Sequence, residues 1–277
     1  RQMCIRDRRY INPFTDFGFK KLFGEEPNKD LLIDFLNQLL DPGHKIEHLE
    51  YRNLEQLANT IDERKAIYDL YCENKKGEKF IVELQKAKQN FFIDRSVFYS
   101  TFPIQEQAKQ GKKWDFNLKN VYTIGVLNFT FNDDEKDKTV VTEVKLMDTK
   151  KKTVFFDKLT YVYLQMPNFN KQEHELKTRF DKWLYALKNL EAFDERPAIL
   201  RDRIFKKLFE KAEIAKFSKE DFRRYNASKK AFLDWHNTML TATEEAEEKG
   251  MQKGMQKGMQ KGTVSYTHLT LPTNGCV

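Results

Sequence analysis

Three residues on neighbouring apolar segments carry the sharpest chemical signal in this sequence. Asp69 lies in the run 66–73, and Glu83, followed two places later by Gln85, lies in the run 79–85. Asn74-Lys75-Lys76-Gly77 between them is a hairpin turn signal. Successive side chains of a strand alternate, so Glu83 and Gln85 share a face, and the hairpin can set Asp69 beside them. Strand interiors disfavour Asp and Glu. Two carboxylates on paired apolar strands repel each other and resist burial unless a cation neutralises them, and oxygen-only ligands suit Mg2+ or Mn2+. Such an ion polarises a phosphoryl oxygen and lowers the pKa of a bound water, the two needs of phosphodiester hydrolysis. On spacing alone, acids at strand ends pointing to solvent account for the same residues equally well.

Other residues offer weaker chemistry. His44 and His48 are four apart, but Asp41-Pro42-Gly43 precedes them, which favours two surface histidines over a zinc pair. Cys72 sits in an apolar strand with no His nearby, the setting of a buried structural thiol. Asp133-Asp134-Glu135 reads as a solvated hairpin tip, and Trp183, Trp235 and the many Phe read as core. The sequence has no Gly-rich phosphate loop and no Cys-x-x-Cys pair.

Elements must position the three acidic and amide groups. Leu31, Leu32, Phe35, Leu36, Leu39 and Leu40 recur at helical spacing until Asp41-Pro42-Gly43 stops the helix. The segment 46–54 reads as extended. In 66–73, Ile67, Asp69 and Tyr71 fall on one face, with Tyr68, Leu70 and Cys72 on the other, and β-branched Ile81 and Val82 centre the second strand. From 91 to 110, Ile93, Val97, Phe98, Thr101 and Phe102 suit a helix that Pro103 should kink or divide and Gly111 close. The run 121–129 is nearly all apolar, the pattern of a strand covered on both faces. Further extended segments are expected at 139–147 and 161–165. Helix, strands, helix and strand in this order define an α/β (α+β) class.

Beyond Pro167 the pattern turns helical, with Leu176, Phe180, Trp183, Leu184, Leu187 and Leu190 repeating at three and four, then charged amphipathic helices at 201–216 and 219–240. The expected division is a core at 9–167, a helical subdomain at 168–240 packed on it, and a charged tail at 241–262. In the tail MQKG occurs three times in succession, placing Gly250, Gly254, Gly258 and Gly262 four apart. Each glycine weakens a water-exposed helix by ~1 kcal/mol. A solvated or fraying extension is the expectation, with a dimerisation stripe, and hence a homodimer, as the other reading.

Composition bounds the function. Among 277 residues, 49 Lys+Arg against 42 Asp+Glu give +7, and 40% hydrophobic with 33% charged residues is the balance of a soluble globular protein. Seven Pro and eleven Gly exclude a fibrous chain. No apolar run approaches the ~18 residues of a membrane span. Residues 1–8 and 263–277 read as non-native, adapter-derived sequence and are set aside; without them the excess is about +5, which permits contact with a polyanion without requiring it. Cys72 is then the one cysteine in the body, so no disulfide framework forms and a reducing compartment, the cytoplasm, is expected.

Tyr68-Asp69 and Ile81-Val82-Glu83-Leu84-Gln85 resemble the PD-(D/E)xK nuclease superfamily, and more closely its recombination-promoting nuclease (Rpn) or transposase family, whose signature ends in Glu-x-Gln. Asp16-Phe17-Gly18-Phe19-Lys20-Lys21-Leu22-Phe23 is similar to that family's Asp-x-x-Phe-Lys-x-x-Phe opening. Arg95 and Tyr99 match an Arg and a Tyr on the helix after its catalytic strand, and the strand at 121–129 falls in the expected place. The resemblance spans roughly residues 10–235. It implies a restriction-endonuclease-like αβββαβ core and Asp69 and Glu83 as ligands of Mg2+ or Mn2+. It further implies DNA as partner and endonucleolytic cleavage by metal-activated water, linked to recombination or a mobile element.

Gln85 stands where the wider superfamily has Lys. A neutral amide cannot be a general base, so Gln85 is assigned to orienting water or the metal. The same departure supports a rival reading, a catalytically weak DNA-binding or assembly protein on this fold. Asp16 either reaches the metal or caps the first helix. Lys20 is either a phosphate contact or a surface lysine. Arg95 and Tyr99, four apart on one helical face, either address a scissile phosphate or pair with an active-site carboxylate and pack on the sheet.

Overall fold

The structure, a computed structural model, describes residues 8–41, 43, 45–52, 68–108, 116–131 and 137–267, with side chains to 260. The chain forms two compact units, Arg1–Ser228 and Lys229–Val277.

The first unit opens with helices α1 (Asp16–Phe23) and α2 (Lys29–Leu39). Strands β1 (Glu50–Tyr51), β2 (Leu70–Glu73) and β3 (Lys79–Gln85) follow, then helix α3 (Phe92–Gln105) and strand β4 (Val121–Leu127). This is the αβββαβ succession, and a hairpin of β5 (Val141–Asp148) and β6 (Thr153–Gln165) enlarges it. Helices α4 (Arg179–Asn189), α5 (Arg203–Ala212) and the start of α6 (Lys219–Thr267) complete the unit. Among the described residues one mixed sheet runs β1-β2-β3-β4-β6-β5. Its central strands β3, β4 and β6 are parallel, and the flanking pairs are antiparallel.

Both faces of the central strands are covered, which is why β3 and β4 are buried along their whole length and read as apolar runs rather than alternating ones. On one face Leu70, Cys72, Phe80, Val82, Leu84, Ile124 and Val126 join the main core with the apolar sides of α1, α2, α4 and α5. Local signals start those helices: the Thr15 side chain accepts from Gly18 N to cap α1, Thr178 and Asp181 form a capping box on α4, and Asp202 caps α5. Arg179 ties two of them together by meeting Asp34 of α2 at 2.8 Å and Asp202 at 3.2 Å. The other face carries α3, which packs through Tyr99 and Phe102 on Tyr68, Tyr71 and Ile81, and through Phe92 on Leu127, Tyr161 and Tyr163.

Three expectations change on meeting the structure. Pro103 does not divide α3: it sits in the last turn, and the carbonyl that its missing N–H leaves without a helical partner, that of Tyr99, accepts the Tyr68 hydroxyl at 2.8 Å. Strand β6 starts at Thr153 rather than 161; its first residues are exposed, so no alternation of burial marks them. The MQKG repeats continue α6 as helix rather than ending it. An added Cβ at Gly250, Gly254 or Gly258 would meet nothing within 4 Å, and Met251, Met255 and Met259 are exposed. No helix among the described residues is long and apolar enough to cross a membrane.

Candidate active site

The site forms where the β2–β3 hairpin meets α1 on one side and α3 on the other. Antiparallel pairing sets Leu70 against Val82, so Asp69, one residue ahead of β2, falls opposite Glu83. Asp69 is held there by the backbone: its Oδ2 accepts from Leu84 N at 2.7 Å. The sequence places Asp69 inside a strand, whereas it occupies the bend leading into one. Tyr68, expected on the face of Leu70 and Cys72, instead stacks with Tyr71 and Ile81, because the bend breaks the alternation.

Glu83 is nearly fully buried, and its Oε1 has no hydrogen-bond partner among the described residues. Burial pushes its carboxyl up to about 7, the charge of Asp69 adds to this, and Arg95 opposes it. The Asp69 carboxyl is also raised by burial, against the Leu84 N–H and Lys20. Beside Glu83 on the parallel neighbour β4 stands Gly125. A Cβ there would lie 3.0 Å from Tyr163 Cδ1 and 3.2 Å from Leu127 Cδ2, so a side chain at this position would press on both neighbours beside the acid. Tyr163 in turn is anchored to α3 by Ser96 at 2.6 Å, and Tyr161 by Ser100 at 2.8 Å.

Lys20, on the last turn of α1, reaches this cluster: its Nζ lies 2.8 Å from Asp16 Oδ1 and 3.7 Å from Asp69 Oδ1. Burial works against its charge, but the two carboxylates outweigh it and raise its pKa. Asp16 does not cap α1, a place taken by Thr15; it is half-exposed and pairs with Lys20.

From the opposite side, Gln85 Oε1 accepts from Arg95 Nη2 at 2.5 Å, and Gln89 Oε1 accepts from Arg95 Nη1 at 2.7 Å. The guanidinium stacks over Phe92 and Tyr99. Arg95 thus lies near the carboxylates without an ion pair to either. Tyr99 packs edge-on against Tyr68. Gln89, Tyr163, Gly125 and Lys86, whose charge lowers the Asp69 pKa, join the site without having been singled out from sequence. Lys86 follows Gln85 directly and was open to notice; Gln89 and Tyr163 join through tertiary folding, which no spacing announces.

The remaining sequence candidates lie elsewhere. Cys72 is buried and free, with its thiol pushed up to about 12 by burial. His48 is half-exposed, with Nε2 3.4 Å from Glu50 Oε1. Trp183 is core, its Nε1–H donating to Asp34 Oδ1 at 2.7 Å, whereas Trp235, also expected in the core, is only partly buried, and Phe91, Phe98, Phe116 and Phe155 are exposed. His44, Ile67, Gly111 and Asp133-Asp134-Glu135 fall outside the described residues.

A buried carboxylate oxygen lacking a donor, next to a second acid, fits a hard divalent cation. Among the described residues no group of three or more His, Cys, Asp or Glu gathers for a metal. Asp69 and Glu83 would therefore supply the side-chain ligands, with backbone carbonyl, water and phosphate oxygens completing the shell, as is usual for Mg2+.

A mixed sheet of this topology, with an acid entering β2, a Glu-x-Gln at the end of β3 and a helix carrying Arg95 between β3 and β4, defines a nuclease-type α/β fold. The family description "PD-(D/E)XK nuclease family transposase" matches residues 13–242, and the chain belongs to that family. Searches of the curated proteins and of the solved structures return no match.

Proposed function

We propose that this protein is a metal-dependent DNA endonuclease that hydrolyses phosphodiester bonds, in the setting of DNA recombination or a mobile element. The observation that carries the reading is the unpartnered, buried Oε1 of Glu83 opposite Asp69. A bound Mg2+ or Mn2+ would polarise the phosphoryl oxygen and acidify the attacking water. Asp69 and Glu83 would hold that ion, and the Leu84 N–H fixes one oxygen of Asp69. Lys20 and Arg95 border the carboxylates as cations for the non-bridging phosphate oxygens, with Tyr99 and Asp16 as their packing and ion-pair partners. Chemically, a water oxygen bonds to phosphorus and gives up a proton as one ester P–O bond breaks, and the departing alkoxide takes up a proton in exchange, so the protons balance. Gln85 belongs to the same group on β3.

The test is supercoiled plasmid incubated with and without Mg2+, beside Asp69→Ala and Glu83→Ala, with Mn2+ binding followed by calorimetry. Nicking should require the ion, and each substitution should remove Mn2+ binding and lower nicking by at least about 100-fold. Metal-independent DNA binding with no nicking by the wild type would establish the rival instead, a DNA-binding or assembly protein on the nuclease fold, which the neutral Gln85 favours.

A further inference from the structure

We propose that Gln85 is a positioning residue for Arg95, and that the Arg95 guanidinium supplies the positive charge that a Lys at position 85 would otherwise bring. The inference rests on the nuclease reading and assigns this motif amide a different job from orienting water or metal. Its amide is already spoken for: Oε1 accepts from Arg95 Nη2 at 2.5 Å, while Nε2 donates to Ala87 O at 3.3 Å. Gln85 is buried, so this arrangement is not one exposed rotamer among several.

What the guanidinium meets explains why the partner is an amide. Its two terminal nitrogens bond to two neutral side-chain carbonyls, those of Gln85 and Gln89. Among the described residues it forms no ion pair, and its Nε is buried with no partner. Phe92 and Tyr99 lie against its face, with ring centroids 5.6 and 6.0 Å from Cζ. The charge is therefore oriented by hydrogen bonds yet not neutralised, and the buried Nε–H is left without an acceptor. A carboxylate at position 85 would cancel the charge, and a lysine there would repel it. A planar, permanently charged fork beside a metal-binding pair of acids suits the oxygens of a phosphodiester whose negative charge grows during displacement. On this geometry Arg95 touches substrate and Gln85 acts through it.

The experiment is a double-substitution cycle on the full chain with Mg2+: Gln85→Ala, Arg95→Ala and the two combined, with Gln85→Glu as a separate shape-preserving variant. Single-turnover cleavage of a duplex, duplex affinity, Mn2+ affinity and thermal unfolding are measured for each. Arg95→Ala should slow cleavage by about 100-fold, and Gln85→Ala should add nothing further once Arg95 is gone. Gln85→Glu should be slower than Gln85→Ala, because it neutralises the guanidinium, while Mn2+ affinity falls in neither. Additive effects of Gln85→Ala and Arg95→Ala would overturn the inference, as would Mn2+ binding that weakens on Gln85→Ala, since either gives Gln85 a role of its own. If Arg95→Ala does not unfold cooperatively, the order of the two Gln85 variants decides. A wild type that never cleaves removes the nuclease reading and this inference together, whereas a cleaving wild type with additive effects removes the inference alone.

Discussion

Glu83 is the residue on which the site's electrostatics turn. Burial pushes its carboxyl up to about 7 from the ordinary 4.5, so the folded, metal-free protein binds the proton more tightly than the unfolded chain does. The sign follows: stability is unaffected below about pH 4.5, falls as pH rises between the two values, and has lost its full increment above about pH 7. A shift of this size corresponds to roughly 3 kcal/mol, and the raised Asp69 carboxyl acts in the same direction. Glu83→Gln should therefore melt higher than the wild type at pH 8 in chelator and match it near pH 4.5. Added Mg2+ should stabilise the wild type at pH 8 and leave the variant unmoved. Identical melting curves at pH 8 would mean that Glu83 is solvated, and the buried-ligand argument would collapse. Asp69 and Glu83 were legible because acids violate the composition of an apolar strand. The grip of Gln85 and Gln89 on Arg95 was not legible, because it depends on how α3 crosses β3 and on side-chain torsions that no pattern of residue types records.

Among the elements, α3 decides whether the site closes, and its end depends on a substitution of one donor for another. Pro103 deprives the Tyr99 carbonyl of its helical partner, and the Tyr68 hydroxyl serves instead. Tyr68→Phe should destabilise the fold by about 1 kcal/mol. In a Pro103→Ala background, where the backbone N–H can return to Tyr99 O, the same change should cost distinctly less. Equal costs in both backgrounds, measured by urea unfolding, would show that the hydroxyl does not stand in for the lost bond. The two serines at 96 and 100, bonded to Tyr163 and Tyr161, fasten the same helix to β6. The helices and the buried strands could be read from periodicity and apolar runs because packing imposes those patterns. The division expected at Pro103 and the late start expected for β6 fail for opposite reasons: a tertiary hydrogen bond serves the carbonyl left over in one, and solvent exposure erases the signal in the other.

At the scale of the whole molecule, the two compact units separate the chemistry from the repeat. All the residues argued to hold ion and phosphate lie between Asp16 and Tyr99, whereas the MQKG repeats lie in the unit Lys229–Val277. Within that unit the helix is lined by exposed methionines and by glycines with open space around them, and its supports include a Glu245–Lys249 pair at 3.1 Å, worth a few tenths of a kcal/mol. Its helicity is thus limited by the glycines themselves. Replacing Gly250, Gly254 and Gly258 by Ala should slow amide exchange across 245–262, by ~1 kcal/mol of local stability for each position, with no steric penalty. Removing everything after Leu240 should leave metal-dependent nicking within about twofold of the full chain, since no proposed ligand or phosphate contact is lost and a twofold change is only ~0.4 kcal/mol in the barrier. A truncated protein that binds Mn2+ normally but no longer nicks would place an essential function in the repeat, and self-association measured by sedimentation in the two forms would then show whether cleavage needs a second copy of the chain.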